Sequence, residues 1–161
     1  MNTARLINDQ FNYEVVETEG RTLVNLFGII DEDSEFTPLL KFKNSTLIFN
    51  FKGVTSVNSC GIRSWVNFLK LLSENPVEFI ECPPVIVKQI NMVPSFLGKA
   101  SPISVFVPYV CDNCEFEKNQ LVLVKDYKSG VPLPEKMHCE KCNSLEMEIN
   151  GNVKQYFAFA K

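Results

Sequence analysis

Two short cysteine pairs constrain this chain more than any other feature: Cys111-Asp112-Asn113-Cys114 and Cys139-Glu140-Lys141-Cys142. A Cys-x-x-Cys loop aims two thiolates at one point, and two such loops supply the tetrahedral sulfur cage that Zn²⁺ prefers. The 24 residues between the pairs suffice for a strand and its return. Cys111, Cys114, Cys139 and Cys142 are therefore the expected ligands of a structural Zn²⁺ ion, whose binding is inseparable from the folding of a small module. His138 precedes Cys139, but four thiolates already fill a tetrahedral site, so it is expected at the surface.

The arrangement resembles a zinc ribbon. Rubredoxin-like iron sites also use two cysteine pairs, but with a glycine after each pair and often a proline inside the second. Glu115 and Asn143 follow the pairs here, and neither pair contains a proline. The ribbon's expected strands are residues 121–125 and 145–149, with Asn150-Gly151 as a two-residue hairpin turn returning through residues 153–160.

Ahead of the cysteines, strand and helix patterns alternate. Residues 13–17 and 21–30 read as strands joined at Gly20, and the acidic run from Asp31 to Glu35 as a loop capping a short helix over 36–42. Residues 45–51 form the clearest strand, with Leu47, Phe49 and Phe51 on one face. A helix is expected over 59–73, its apolar positions Ile62, Trp65, Val66, Leu69 and Leu72 recurring at helical spacing. Asn75-Pro76 ends it. Residues 77–82 are a strand, Pro83-Pro84 opens a second helix to about residue 91, and residues 103–110 form a last strand running into Cys111. The order β-β-α-β-α-β-α-β implies a largely single-sheet α/β domain with covering helices. The domains expected are 1–110 for this part and 111–161 for the small β-rich module.

Formal charge excludes little by its size but much by its distribution. Residues 1–110 carry 11 acidic and 9 basic side chains, and residues 111–161 carry 8 and 7. Neither part has the basic excess that neutralising phosphates requires, which argues against a nucleic-acid partner even for the ribbon. No apolar run approaches a membrane span, and Met1 to Phe11 lack the pattern of a signal peptide. A cytoplasmic setting is expected, where reduced thiols favour metal ligation over disulfides.

Two stretches carry a resemblance to a known family. Leu26-Phe27-Gly28-Ile29-Ile30-Asp31 and the longer run from Leu47 through Gly53-Val54-Thr55-Ser56-Val57-Asn58-Ser59-Cys60-Gly61-Ile62 resemble the second strand and the central strand, with its following turn, of STAS domains. This fold is shared by bacterial anti-sigma-factor antagonists and the cytoplasmic tails of sulfate transporters. The resemblance covers roughly residues 13–110. In the family the turn reads Asp-Ser-Ser/Thr-Gly, and its serine is phosphorylated by a partner that is both serine kinase and anti-sigma factor. The unmodified form binds that partner and the modified form does not. The resemblance places Ser59 at the phospho-acceptor position and implies a bacterial regulatory protein. Asn58 stands where the family has Asp, Cys60 where it has Ser or Thr, and Asn50 replaces an acidic residue at the end of the central strand. Family members usually continue into a C-terminal helix, which the cysteine module here replaces or displaces.

The resemblance also implies a partner surface at the turn and the following helix: Asn58, Ser59, Cys60, Gly61 and Ile62, with Phe68 and Leu71 as an apolar docking patch. The ribbon or a second copy of the chain are the alternative occupants of that patch. A plainer reading makes Asn58 or Ser59 an N-cap satisfying first-turn amides. Cys60 and Cys82 are expected in the core. No Ser/His/Asp or Cys/His constellation and no Gly-rich phosphate loop speak for an enzyme. The resulting expectation is a non-catalytic protein–protein regulator, with two alternatives: a constitutive scaffold without a switch, and a nucleic-acid-binding ribbon.

Overall fold

In a computed structural model of the chain, residues 5–7 and 11–160 are described, side chains from residue 11 onward; residues 1–4, 8–10 and 161, at the outer ends of the two expected domains, lie outside the described residues. The protein is a mixed α/β structure built on two sheets. The larger is six-stranded, and its strands lie side by side in chain order: β1 (Arg5–Ile7), β2 (Phe11–Thr18), β3 (Arg21–Ile30), β4 (Thr46–Val57), β5 (Val77–Ile80) and β6 (Ser101–Pro102). The first three pair antiparallel, and β3 to β6 pair parallel through helical crossovers. The expected short helix over 36–42 is a 3₁₀ turn, Thr37–Phe42, between β3 and β4. Three helices follow: α1 (Ser59–Lys70) after β4, then α2 (Pro84–Met92) and α3 (Pro94–Leu97) between β5 and β6. No helix among the described residues is long and apolar enough to cross a membrane.

The core of this sheet is aromatic. Leu47, Phe49 and Phe51 point inward from β4, as their alternation requires, and none is exposed. Trp65, on the inner face of α1, has six phenylalanine rings around it: Phe36, Phe49, Phe51, Phe68, Phe79 and Phe96, with centroids 5.0 to 5.8 Å away. The contacts with Phe36, Phe49 and Phe51 are edge-to-face, a geometry that the ring quadrupoles favour, and the other three are tilted. The indole N–H donates to the Phe96 carbonyl oxygen at 2.9 Å, so its one polar atom is satisfied in the interior.

The second sheet is four-stranded and antiparallel, in the order β8 (Glu117–Leu123), β7 (Ser104–Cys111), β10 (Met147–Ile149), β9 (Lys136–Met137). Residues 110 and 111, where the sequence reading divides the chain, are the last two of strand β7. That strand begins beside the large sheet: Ile103 N–H donates to Phe79 O, Cys82 N–H to Ser104 O, and Phe106 N–H to Cys82 O. One extended run, residues 101–111, thus closes the edge of the first sheet and then enters the second.

Two expectations for the last third require correction. The strand at 121–125 starts and stops earlier, because Val124 N–H turns to bond Ile103 O and opens a short helix, α4 (Val124–Lys128), with Asp126 in its first turn and Lys128 in its last. The hairpin return through 153–160 is absent. Asn152 caps α5 (Val153–Tyr156) by accepting from Gln155 N–H at 3.0 Å, and a 3₁₀ turn follows over Ala158–Ala160. Residues 153, 157 and 160 fall on one helical face, and Phe157 and Ala160 are buried. Asn91 of α2 holds this segment down: its amide donates to Tyr156 O at 2.9 Å and its carbonyl oxygen accepts from Phe159 N–H at 2.9 Å. Tyr156 in turn donates its hydroxyl to Phe106 O.

Trp65→Ala is expected to destabilise the protein by about 3–5 kcal/mol in urea unfolding, since it empties the centre of the aromatic cluster.

Candidate functional site

Two places in this fold concentrate chemistry: the junction of β4 and α1, and the cysteine cluster. The first is built on a close approach. The end of β3 and the first turn of α1 touch so tightly that a Cβ on Gly61 would lie 2.3 Å from Ile30 O and 2.8 Å from Asp31 N. Only glycine fits. Asn58 is the helix cap, its side-chain oxygen accepting from Gly61 N–H at 2.8 Å, while its own N–H bonds Ile30 O at 3.0 Å. The Asn58 amide donates to Glu32 Oε2 at 2.8 Å and holds the Glu32 carboxyl below the usual range. Asp31 and Ser34 lock the loop beneath: Asp31 Oδ1 accepts from Asp33 N–H, and Asp31 N–H donates to Ser34 Oγ.

Ser59 and Cys60 follow the cap, and both are exposed. The cap therefore belongs to Asn58, and the Ser59 hydroxyl bonds no other described residue. Cys60 is corrected from core to surface: in the first turn of α1 it is Gly61, not Cys60, that faces the end of β3. Cys82 is buried as expected, and burial pushes its thiol well above the usual range. Ile62 is half-buried. Phe68 contributes little exposed surface: it is 4% exposed, packs against Phe36, Phe49 and Trp65, and lines with Leu71 an open cleft between α1 and residues 34–38. Phe36 packs on that side of α1, which sequence periodicity alone does not foretell. Leu71, 63% exposed, remains at the surface.

Asn50, in the family-like central strand, donates to Glu81 Oε2 at 2.6 Å and accepts from Lys52 N–H. Its role here is to hold Glu81, whose φ of 50° is rare for a side-chain-bearing residue, at the end of β5.

The four cysteine sulfurs all lie within 4.8 Å of one another. Cys111 and Cys142 sulfurs are 3.7 Å apart, and those of Cys114 and Cys139 are 3.6 Å apart. Disulfide sulfurs would sit about 2.05 Å apart. A tetrahedron with metal–sulfur bonds of about 2.3 Å sets its sulfurs about 3.8 Å apart, so the spacing suits a central metal ion. The two loops have the same backbone design. Glu115 N–H bonds Cys111 O and Cys111 N–H bonds Phe116 O; Asn143 N–H bonds Cys139 O and Cys139 N–H bonds Ser144 O. Glu115 and Asn143 both take left-handed φ values, 61° and 63°, where rubredoxin-like loops place glycine. Asparagine tolerates that conformation, so Asn143 was legible as a turn residue, whereas Glu115 was not.

Two contributors had no signal in the cysteine spacing. The Asn113 amide donates to Cys142 Sγ at 3.4 Å, and Ser144 Oγ lies 3.0 Å from Cys142 Sγ and 3.6 Å from Cys111 Sγ. These bonds hold the Cys142 thiol down at about 5. Cys114 goes the other way, up to about 12: the Phe116 N–H favours its thiolate, but burial and the neighbouring sulfurs outweigh it. Four thiolates this close repel one another without a cation between them, and a bound divalent metal removes that conflict. His138 is exposed and takes no part.

No known family model matches this chain, and no curated protein matches its sequence.

Elemental analysis of the purified protein is expected to find one metal ion per chain. Cys139→Ser should lose it, with proteolysis then opening the region after residue 104 first.

Proposed function

We propose that this protein is a non-catalytic regulator of the STAS type, which docks on a partner protein through the Asn58–Ile62 corner and the exposed side of α1, with Ser59 as a phosphorylation switch. The observation carrying this reading is the division of labour at the helix mouth. Asn58 satisfies the first-turn amide, which leaves the exposed Ser59 hydroxyl accessible for modification without loss of the cap. The element order through β5 and the tight Gly61 turn support the resemblance seen in sequence. The polar groups nearby, Asp31, Ser34 and Asn58, are engaged in holding turns, which suits a recognition surface better than a reaction centre.

A phosphate adds nearly two negative charges at neutral pH. At Ser59 it would meet the favourable end of the helix dipole, so the fold tolerates it. Glu32, bonded to the adjacent Asn58, already makes the corner acidic, and the added charge would repel a partner with acidic or apolar contacts there. The partner class is a regulatory protein of the anti-sigma-factor, serine-kinase kind, in a bacterial cytoplasm. In the cysteine module the bound metal is zinc, favoured by an all-thiolate tetrahedral site with a structural role. The module extends the docking surface or carries self-association.

The test compares partner capture by wild type, Ser59→Ala and Ser59→Asp, with mass spectrometry of Ser59 from native cells. Capture of one kinase-like partner by the first two and its loss, by roughly tenfold or more, with Ser59→Asp is the expected result. Equal capture by all three would leave a constitutive scaffold in which Ser59 has no switching role.

A further inference from the structure

At the end of α1 opposite Ser59, some 16 Å along the helix axis at 1.5 Å per residue, the surface opens into an apolar hollow of about 170 Å³. Leu69, Leu72, Val77, Leu97 and Ala100 supply its walls. Leu72 and Val77 belong to the buried core, so the hollow reaches down to the base of the large sheet. It exists because the chain is small where it could have been large. Ser95, Gly98 and Ala100 line one side, and Gly98, at φ 57°, turns the chain out of α3. A Cβ at Gly98 would come only within van der Waals contact of Leu69, so even that position leaves room.

The rim is basic. Lys70 and Lys99 border the hollow, both exposed, and neither forms an ion pair among the described residues. No aspartate or glutamate lines it. Ser73 and Ser95 also line it, their hydroxyls bonding no described residue, whereas the Asn75 amide is turned away to the carbonyl oxygens of Lys43 and Ser45. An apolar pocket under unpaired cations and free hydroxyl donors selects one ligand chemistry: an apolar body with a carboxylate at one end. An apolar cavity of about 150 Å³ takes up benzene, so the body is of that size, a short aliphatic chain or a single ring, with any excess length emerging between the lysines.

We propose that this hollow is a binding site for a small amphiphilic carboxylate, whose hydrocarbon end packs on Leu69, Leu72, Val77 and Leu97 while its charged end meets Lys70 and Lys99. The site shares no residue with the Ser59 corner or the cysteine cluster, so it stands or falls independently of the regulatory reading.

Calorimetric titration of the purified 161-residue protein with sodium octanoate, octanol and octylammonium chloride tests this. Octanoate is expected to bind saturably, one per chain, and more tightly than octanol, with octylammonium weakest. The double variant Lys70→Glu/Lys99→Glu, two exposed substitutions that leave the core intact, should weaken octanoate roughly tenfold or more while sparing octanol. Ala100→Phe, checked for folding by circular dichroism, should abolish both. Ser59→Asp should change nothing. Absence of saturable octanoate binding overturns the proposal, as does equal or tighter binding of octylammonium. Undiminished octanoate binding by the lysine double variant overturns it too.

Discussion

One extended run of backbone, residues 101–111, determines how the rest of the molecule is assembled. Its first part is the edge of the large sheet, bonded to Glu78, Phe79 and Cys82. Its second part is an inner strand of the small sheet, between β8 and β10. It ends on Cys111, a member of the cysteine cluster. A strand whose two halves are paired in different sheets cannot leave one without straining the other, so the cysteine module is fastened to the α/β part by continuous hydrogen bonding instead of by a linker. The C-terminal segment adds a second fastening, through Asn91 and Tyr156, and fills the space beside α2.

This construction explains which parts of the fold were legible in sequence. The strand over 21–30 and the Leu47-Phe49-Phe51 face were readable because burial on a pleated surface writes a period of two into the residues. The Cys-x-x-Cys spacing was readable because metal geometry permits few alternatives. The end of the chain was not. Asn150-Gly151 is a strong local hairpin signal, but Asn152 offers a helix cap two residues later, and docking of Phe157 and Ala160 decides between them. Tertiary contact of that kind leaves no trace in a local pattern. The burial of Phe68 was hidden for the same reason: its place on α1 looks peripheral until Phe36 packs against it.

The helix-mouth corner was half legible. A polar residue followed by a small one before an apolar helix reads as a cap, and Asn58 is that cap. That Gly61 is required follows from the 2.3 Å approach to Ile30 O, a relation between residues 31 positions apart, while Ser59 is left unengaged because Asn58 takes the cap. Glu32 enters the corner across a similar gap.

The rigidity of α1 then limits how its two ends can act. Trp65 sits at its middle, surrounded by six rings and bonded to Phe96 O, and the first turn is pressed against Ile30. Close-packed interiors switch between discrete arrangements or stay put, and nothing at this contact offers a second arrangement: a shift of α1 by a fraction of an ångström drives Gly61 into the β3 backbone. A charge placed at Ser59 therefore acts where it stands, on whatever approaches the corner, and an occupant of the hollow at the far end acts on the loop after Leu71 and on α3. The helix separates the two events. Communication between them through the core would require α1 to move against its contact with Ile30.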